Sequence, residues 1–179
     1  MSVFVAIDLS EPARAEAQAC IDEARAQLPA KWLPPEKLHV TVLFLGNPDA
    51  AEVQALTPHL DALAARHRPF SLRLTGAGTF VTARAPSVLW LGVAGDLPAL
   101  HALHRDAAGC LGPHDARTYR PHLTLARAPQ PDFFDARAAA LRDFTGSPWD
   151  IAALTLYEST HHRYHVLHRA PLAAHAATG

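Results

Sequence analysis

Arg120-Pro121-His122-Leu123-Thr124-Leu125-Ala126-Arg127 sets a histidine and a threonine two residues apart in an otherwise apolar segment. Successive side chains of a β-strand point to opposite faces, so His122 and Thr124 share one face while Leu123 and Leu125 take the other. The strand predicted here carries polar chemistry on one side and core on the other. In the first half of the chain the pattern recurs as Leu38-His39-Val40-Thr41-Val42-Leu43-Phe44-Leu45-Gly46. A bare His-x-Thr is a weak signal, because twelve histidines and eleven threonines predict roughly one by chance. Requiring an apolar residue after each polar one lowers the expectation to roughly 0.2, and two such copies arise at roughly the 1 to 2% level. The repetition, not either copy, is informative.

The rest of the chain reads as alternating strands and helices. Val3 to Leu9 is an apolar strand broken by Asp8, and Ser10-Glu11-Pro12 supplies an N-cap and a first-turn proline for a helix over about 11–28. Asp49 caps a second helix, 50–67, with Val53, Leu56, Leu60 and Leu63 on one face. Phe70 to Leu74 is a strand, Gly76-Ala77-Gly78 a turn, and Ser87 to Val93 a further strand. A third helix, 97–109, is followed by a loop, the second histidine-threonine strand, a helix over about 132–143 and two last strands, 149–157 and 163–168. This order lacks the strict alternation of a doubly wound sheet and predicts an α+β fold with mainly antiparallel sheet. Two halves, each owning one histidine-threonine strand, suggest an internal duplication within one domain over 1–179.

Composition narrows the function. With 179 residues, 49% hydrophobic and 18% charged, the chain is globular, and a formal net charge of −1 gives no general attraction to duplex DNA or anionic membranes. Nucleic-acid contact would be local. Apolar stretches are strand-length and no leader is evident at Met1 to Leu9, so a soluble cytoplasmic protein is expected. Cys20 and Cys110 give neither a disulfide framework nor a Cys-x-x-Cys motif.

Two histidines facing one cleft can serve as base and acid near neutral pH, and a threonine hydroxyl on the same face can donate to an oxygen gaining negative charge. That set suits attack of water on a phosphodiester without a metal. Other histidines carry less. His161, His162, His165 and His168 suggest a metal cluster, but on a strand His165 and His168 point to opposite faces. His101 and His104 share a helix face and read as solvated. No Gly-x-Ser-x-Gly, phosphate-loop or dinucleotide motif is present. Arg117, Arg120 and Arg127 would make a cleft locally positive, or be plain solvated arginines.

On these residues the chain resembles the 2H phosphoesterase superfamily, and within it the RNA 2′,3′-cyclic phosphodiesterases of the LigT-like, 2′-5′ RNA ligase family. The resemblance rests on Phe4-Val5-Ala6-Ile7-Asp8-Leu9, Trp32, the two histidine-threonine strands, Val88-Leu89-Trp90-Leu91-Gly92 and Leu156-Tyr157-Glu158-Ser159. It implies a bilobal, pseudo-twofold α+β fold whose antiparallel sheets line a central cleft, with helices outside. It also implies opening of a 2′,3′-cyclic phosphate at an RNA 3′ end to a 2′-phosphate, by a monomer without metal or cofactor, and in some members the reverse joining to a 2′-5′ linkage. Carried over, His39 is the general acid, His122 the general base, Thr41 and Thr124 hold the phosphate, Phe44 stacks on a base and Arg127 contacts phosphate or nucleotide. Pseudo-symmetry leaves the acid and base roles exchangeable. Phe44 and Arg127 each follow their histidine by five residues, an odd offset that requires a bulge, strong twist or strand end. The final segment, Thr160 to His168, departs from the glycine-containing or basic loop of relatives. Two other functions stay open: a phosphodiesterase for a small cyclic nucleotide such as ADP-ribose cyclic phosphate, and a non-catalytic RNA-end binder.

Overall fold

Val3, Phe4, Val5, Ala6 and Ile7 are all buried, so β1 (Ser2–Asp8) lies inside a sheet, covered on both faces. The computed structural model describes residues 2–82, 86–112, 118–161 and 163–174. Strand β1 pairs antiparallel with β3 (His39–Gly46) on one side and β8 (Ala153–Ser159) on the other, and β9 (Tyr164–Pro171) completes a four-stranded sheet in the order β3-β1-β8-β9. The second sheet is built from β2 (Lys31–Trp32), β6 (His122–Ala128), β5 (Ser87–Gly95), β4 (Phe70–Phe80) and β7 (Trp149–Ile151), in the order β2-β6-β5-β4-β7. All pairings are antiparallel, and the fold is α+β.

Each sheet owns one histidine-threonine strand, and the sheets meet where β3 packs against β6. They are not the two sequential halves expected from a duplication. The first sheet takes β1 and β3 from the start of the chain and β8 and β9 from its end, while the second takes the middle. Strand β8 returns to pair with β1 and brings β9 with it into the same sheet.

Helices cover the outer faces. Ser10 caps α1 (Glu11–Arg25) by accepting from Ala13 N at 3.2 Å, and Asp49 and Glu52 form a reciprocal capping box on α2 (Ala50–Ala64). Helix α3 (Leu97–Leu111) packs on α2 and β3, α2 also on β9, and the short α4 (Asp135–Ala140) on β4. Only Ala138 of α4 is buried, so the expected helix over 132–143 shrinks to little more than one turn between hydrogen-bonded turns. Leu60, Leu63, Leu100, Leu103 and Ala107 point at helical spacing into a core shared with both sheets.

Gly76-Ala77-Gly78 is not a turn. Strand β4 runs through it, with a register shift at Gly76, whose φ of +57° favours glycine, and pairing resumes at Ala77 with Leu91. Gly78 serves packing instead: the indole of Trp90 lies where its side chain would be.

Candidate active site

Both histidine-threonine strands break their alternation at the same place. In β3, Asp8 faces His39, Ile7 faces Val40 and Ala6 faces Thr41, but the next residue, Val5, faces Leu43, so Val42 is an extra residue. In β6, Gly92 faces His122 and Trp90 faces Thr124, but Leu89 faces Ala126, so Leu125 is extra. Each bulge begins three residues after the histidine and reverses the faces beyond it. The burial pattern follows: Val42 and Leu43 are both buried and Phe44 is exposed, as Leu125 and Ala126 are both buried and Arg127 is exposed. The odd offset of Phe44 and Arg127 is thereby cancelled. Both stand on the face of their own histidine and threonine.

That face of the first sheet is aromatic beside the histidine. Phe4 packs under His39 at 4.8 Å between ring centroids, stacks with Phe44 at 5.8 Å and with Tyr157 at 5.6 Å, and meets the edge of Tyr164 at 5.2 Å. Phe44, 54% exposed, lies on this base with one side open. On the second sheet Phe80 stands edge-on to His122 at 4.9 Å, and Trp90 lies 6.2 Å from it. Each imidazole therefore has an apolar wall.

The backbone orients both rings alike. His39 Nδ1 lies 2.8 Å from the Lys37 carbonyl, and His122 Nδ1 lies 2.6 Å from the Arg120 carbonyl. A carbonyl only accepts, so Nδ1 carries hydrogen and Nε2 is left for the cleft. His39 Nε2 accepts from the Thr41 hydroxyl at 2.9 Å.

Burial pushes both imidazoles below the usual histidine range, because the desolvated cation is disfavoured. The neighbouring charges then differ: at His39 a carboxylate works against the Arg14 cation, and at His122, among the described residues, there is only a cation. The Asp8 carboxylate, directly across from His39 in the sheet, favours its protonated form, whereas the Arg127 guanidinium disfavours protonation of His122. The two imidazoles also feel each other, His122 opposing a charge on His39. Asp8 is held by Thr155 Oγ1 at 2.8 Å, by the Tyr157 hydroxyl at 2.6 Å and by Arg169 at 3.5 Å. Across the cleft the Arg127 charge reaches Tyr164, whose hydroxyl burial pushes above the ordinary tyrosine range.

Several of these residues escape a sequence reading. Asp8 had a signal, being the polar end of an apolar strand, but Phe4, Phe80, Trp90 and Tyr164 look like ordinary strand aromatics until pairing puts them beside the histidines. His104 is not a solvated helix residue, since its ring stacks on Tyr119 and its Nδ1 binds the Val42 carbonyl. His165 and His168 do not point to opposite faces either. A register shift in β9 pairs them with Glu158 and Leu156, which share a face of β8. His168 is bound to Asp61 of α2 at 2.7 Å, and among the described residues no group of three or more histidine, cysteine or acidic side chains could hold a metal ion. Arg117 and His162 lie outside the described residues, and no described helix is long and apolar enough to cross a membrane.

Residues 11–163 match the 2′-5′ RNA ligase superfamily. A Geobacillus stearothermophilus RNA 2′,3′-cyclic phosphodiesterase is 36% identical over 129 residues, covering 69% of this chain and 41% of that protein. One from Thermotoga maritima is 28% identical over 166 residues, covering 89% of this chain and 87% of its own length. Among solved structures, a Thermus thermophilus protein superposes with a TM-score of 0.73 at 27% identity, covering 98% of this chain and all of that one. E. coli LigT complexed with 3′-AMP gives 0.69 at 27% identity, covering 97% and 98%.

Proposed function

The chain belongs to the 2′-5′ RNA ligase superfamily, and on that footing we propose that it is a metal-independent RNA 2′,3′-cyclic phosphodiesterase using two-histidine acid/base catalysis. One observation carries the reading: two imidazoles, each tethered through Nδ1 to a backbone carbonyl and each with a threonine on its own face, stand on strands that pack against each other, close enough for His122 to oppose a charge on His39.

His122, kept neutral by burial and by Arg127, takes a proton from water at Nε2 as the oxygen attacks phosphorus. The bond from phosphorus to the 3′ oxygen breaks, and Nε2–H of a protonated His39 delivers a proton to that oxygen. The products are a 2′-phosphate and a 3′-hydroxyl. The division of roles follows the carboxylate: Asp8 favours the His39 cation, with Arg14 opposing it more weakly, whereas His122, among the described residues, has only the Arg127 cation beside it. In neutral His39, Nε2 accepts from Thr41. Once Nε2 is protonated it no longer accepts: its one N–H is aimed at the leaving oxygen, and the Thr41 hydroxyl, released from Nε2, donates to a non-bridging phosphate oxygen. Thr124 makes the matching contact from the other strand. Acid, base and donors are all side chains, so the scheme calls for no metal. With a 5′-hydroxyl in place of water as the attacking group, the same steps form a 2′-5′ linkage as the bond to the 3′ oxygen breaks and a 3′-hydroxyl is left.

An RNA chain suits the cleft better than a small cyclic nucleotide. Lys31 and Arg127 are direct cross-strand partners, hence on one face, and both are exposed. Like charges placed directly opposite cost stability, and among the described residues neither forms an ion pair. A phosphate of the preceding nucleotide would remove that cost. Exposed Phe44 offers its open side to the terminal base.

The test supplies an oligoribonucleotide ending in 2′,3′-cyclic phosphate to purified protein in chelator and identifies the product. The expected product is the 2′-phosphate, with turnover reduced about 10²–10⁴-fold in His39→Ala and His122→Ala. Absence of hydrolysis, or full activity in either variant, would sink the mechanism, and a 3′-phosphate product would reverse the leaving-group assignment.

A further inference from the structure

Strand β3 is the outer strand of its sheet, so carbonyls turned away from β1 have no ladder partner there. At the bulge the carbonyls of two consecutive residues are bound from outside the sheet. The Tyr119 hydroxyl donates to Thr41 O at 2.9 Å, and His104 Nδ1–H donates to Val42 O at 2.7 Å. The two donors brace each other: their rings are 3.9 Å apart and within 9° of parallel, and His101 closes the edge of Tyr119 at 5.5 Å. In β6 the corresponding bulge carbonyl, Leu125 O, takes the backbone N–H of Leu33 at 2.8 Å, because β2 lies along that side of β6. Main chain does in one motif what two side chains do in the other.

We propose that Tyr119 and His104 are positioning residues for the reaction, holding the β3 bulge that sets Phe44 beside His39 and Thr41. Without the bulge, alternation would turn Phe44 into the core and leave a gap where the base stacks. Tyr119 also precedes His122 by three residues, so its bond to Thr41 ties one histidine-threonine strand to the approach of the other. The clasp explains why a helix histidine and a loop tyrosine stack half-buried at the strand edge. The role in catalysis rests on the proposed phosphodiesterase reading, while the structural role of the clasp does not.

Two measurements test it. In hydrogen–deuterium exchange, Tyr119→Phe, which removes one oxygen and keeps the stacked ring, is expected to speed exchange of segment 39–46 and leave 87–95 unchanged. In turnover of the cyclic-phosphate oligonucleotide, Tyr119→Phe and His104→Leu are each expected to lower kcat/KM about 5- to 10-fold, as loss of one hydrogen bond implies. His104→Asn, whose side-chain N–H takes the place of Nδ1–H, recovers most of that loss. In a Phe44→Ala background the Tyr119→Phe effect shrinks, because the clasp acts through Phe44. A merely structural role would lower Tm, leave kcat/KM of the folded protein unchanged, and add independently to Phe44→Ala; any of these activity results overturns the proposal. Unchanged exchange in 39–46 overturns the clasp even if wild-type protein turns over no cyclic phosphate, an outcome that by itself sinks only the phosphodiesterase reading.

Discussion

Gly78→Ala tests whether the wall behind His122 is as tightly built as the structure has it. A Cβ at residue 78 would stand 2.3 Å from Trp90 Cζ2, 2.5 Å from Cη2 and 2.9 Å from Cε2, closer than packed carbons come. The indole has little room to retreat, since it leans on Phe80 at 4.9 Å, and Phe80 in turn stands edge-on to His122. Forcing a methyl into such a contact costs about 1–3 kcal/mol. For a chain of this length about 2 kcal/mol lowers Tm by roughly 4–8 °C. The displaced ring moves the face against which His122 is held, so kcat/KM falls by about 10- to 100-fold, as small misplacements of catalytic groups do. Thermal unfolding by circular dichroism and turnover of the cyclic-phosphate oligonucleotide read the two effects. Repeating Gly78→Ala in a Trp90→Leu background isolates the cause, for there the added methyl enters vacated space and its stability cost should nearly vanish. Equal cost in both backgrounds, or a Gly78→Ala protein as stable and active as wild type, would refute the reasoning.

Both imidazoles titrate below the ordinary value of 6.5, so the free-enzyme form with one neutral and one protonated ring is most populated on the acid side of that pH. The profile of kcat/KM should peak below pH 6.5, and a peak above pH 7 would contradict it. Asp8→Asn withdraws the charge that favours the His39 cation, and the alkaline limb should move to lower pH; an upward move would refute Asp8 as its partner. Phe44→Ala, at a side chain 54% exposed, should change stability by less than about 0.5 kcal/mol yet raise KM about tenfold through lost base stacking, and an unchanged KM would remove Phe44 from the site. Lys31→Gln should reduce the slope of log(kcat/KM) against log[salt] by about 0.7–1 on an oligonucleotide and hardly touch a 2′,3′-cyclic mononucleotide, while equal slopes for wild type and variant would leave Lys31 without a phosphate.

Local pattern was enough for much of the architecture. The alternation in Leu38 to Leu45 and His122 to Leu125 placed one polar face on each strand, and Ser10 and Asp49 marked the starts of two helices that form as their caps dictate. The pairing of the two histidine-threonine strands was legible because repetition is a property of sequence. What neighbours do to a strand was not. Gly76 to Gly78 has the composition of a turn, and only pairing with β5 and the bulk of Trp90 makes it a strand. His101 and His104 have the spacing of a wet helix face, and only the unpaired carbonyls at the edge of β3 give His104 its partner. The repeated motif suggests sequential halves, yet β8 returns to β1 across the chain and β9 follows on the other edge of β8. The same holds at the site. Residue types and spacing alone determined that His39, Thr41, His122 and Thr124 face the polar side of their strands. Whether Phe44 and Arg127 join them turned on one extra residue in each ladder, and a bulge exists only in the register between two strands, which no single strand's sequence contains.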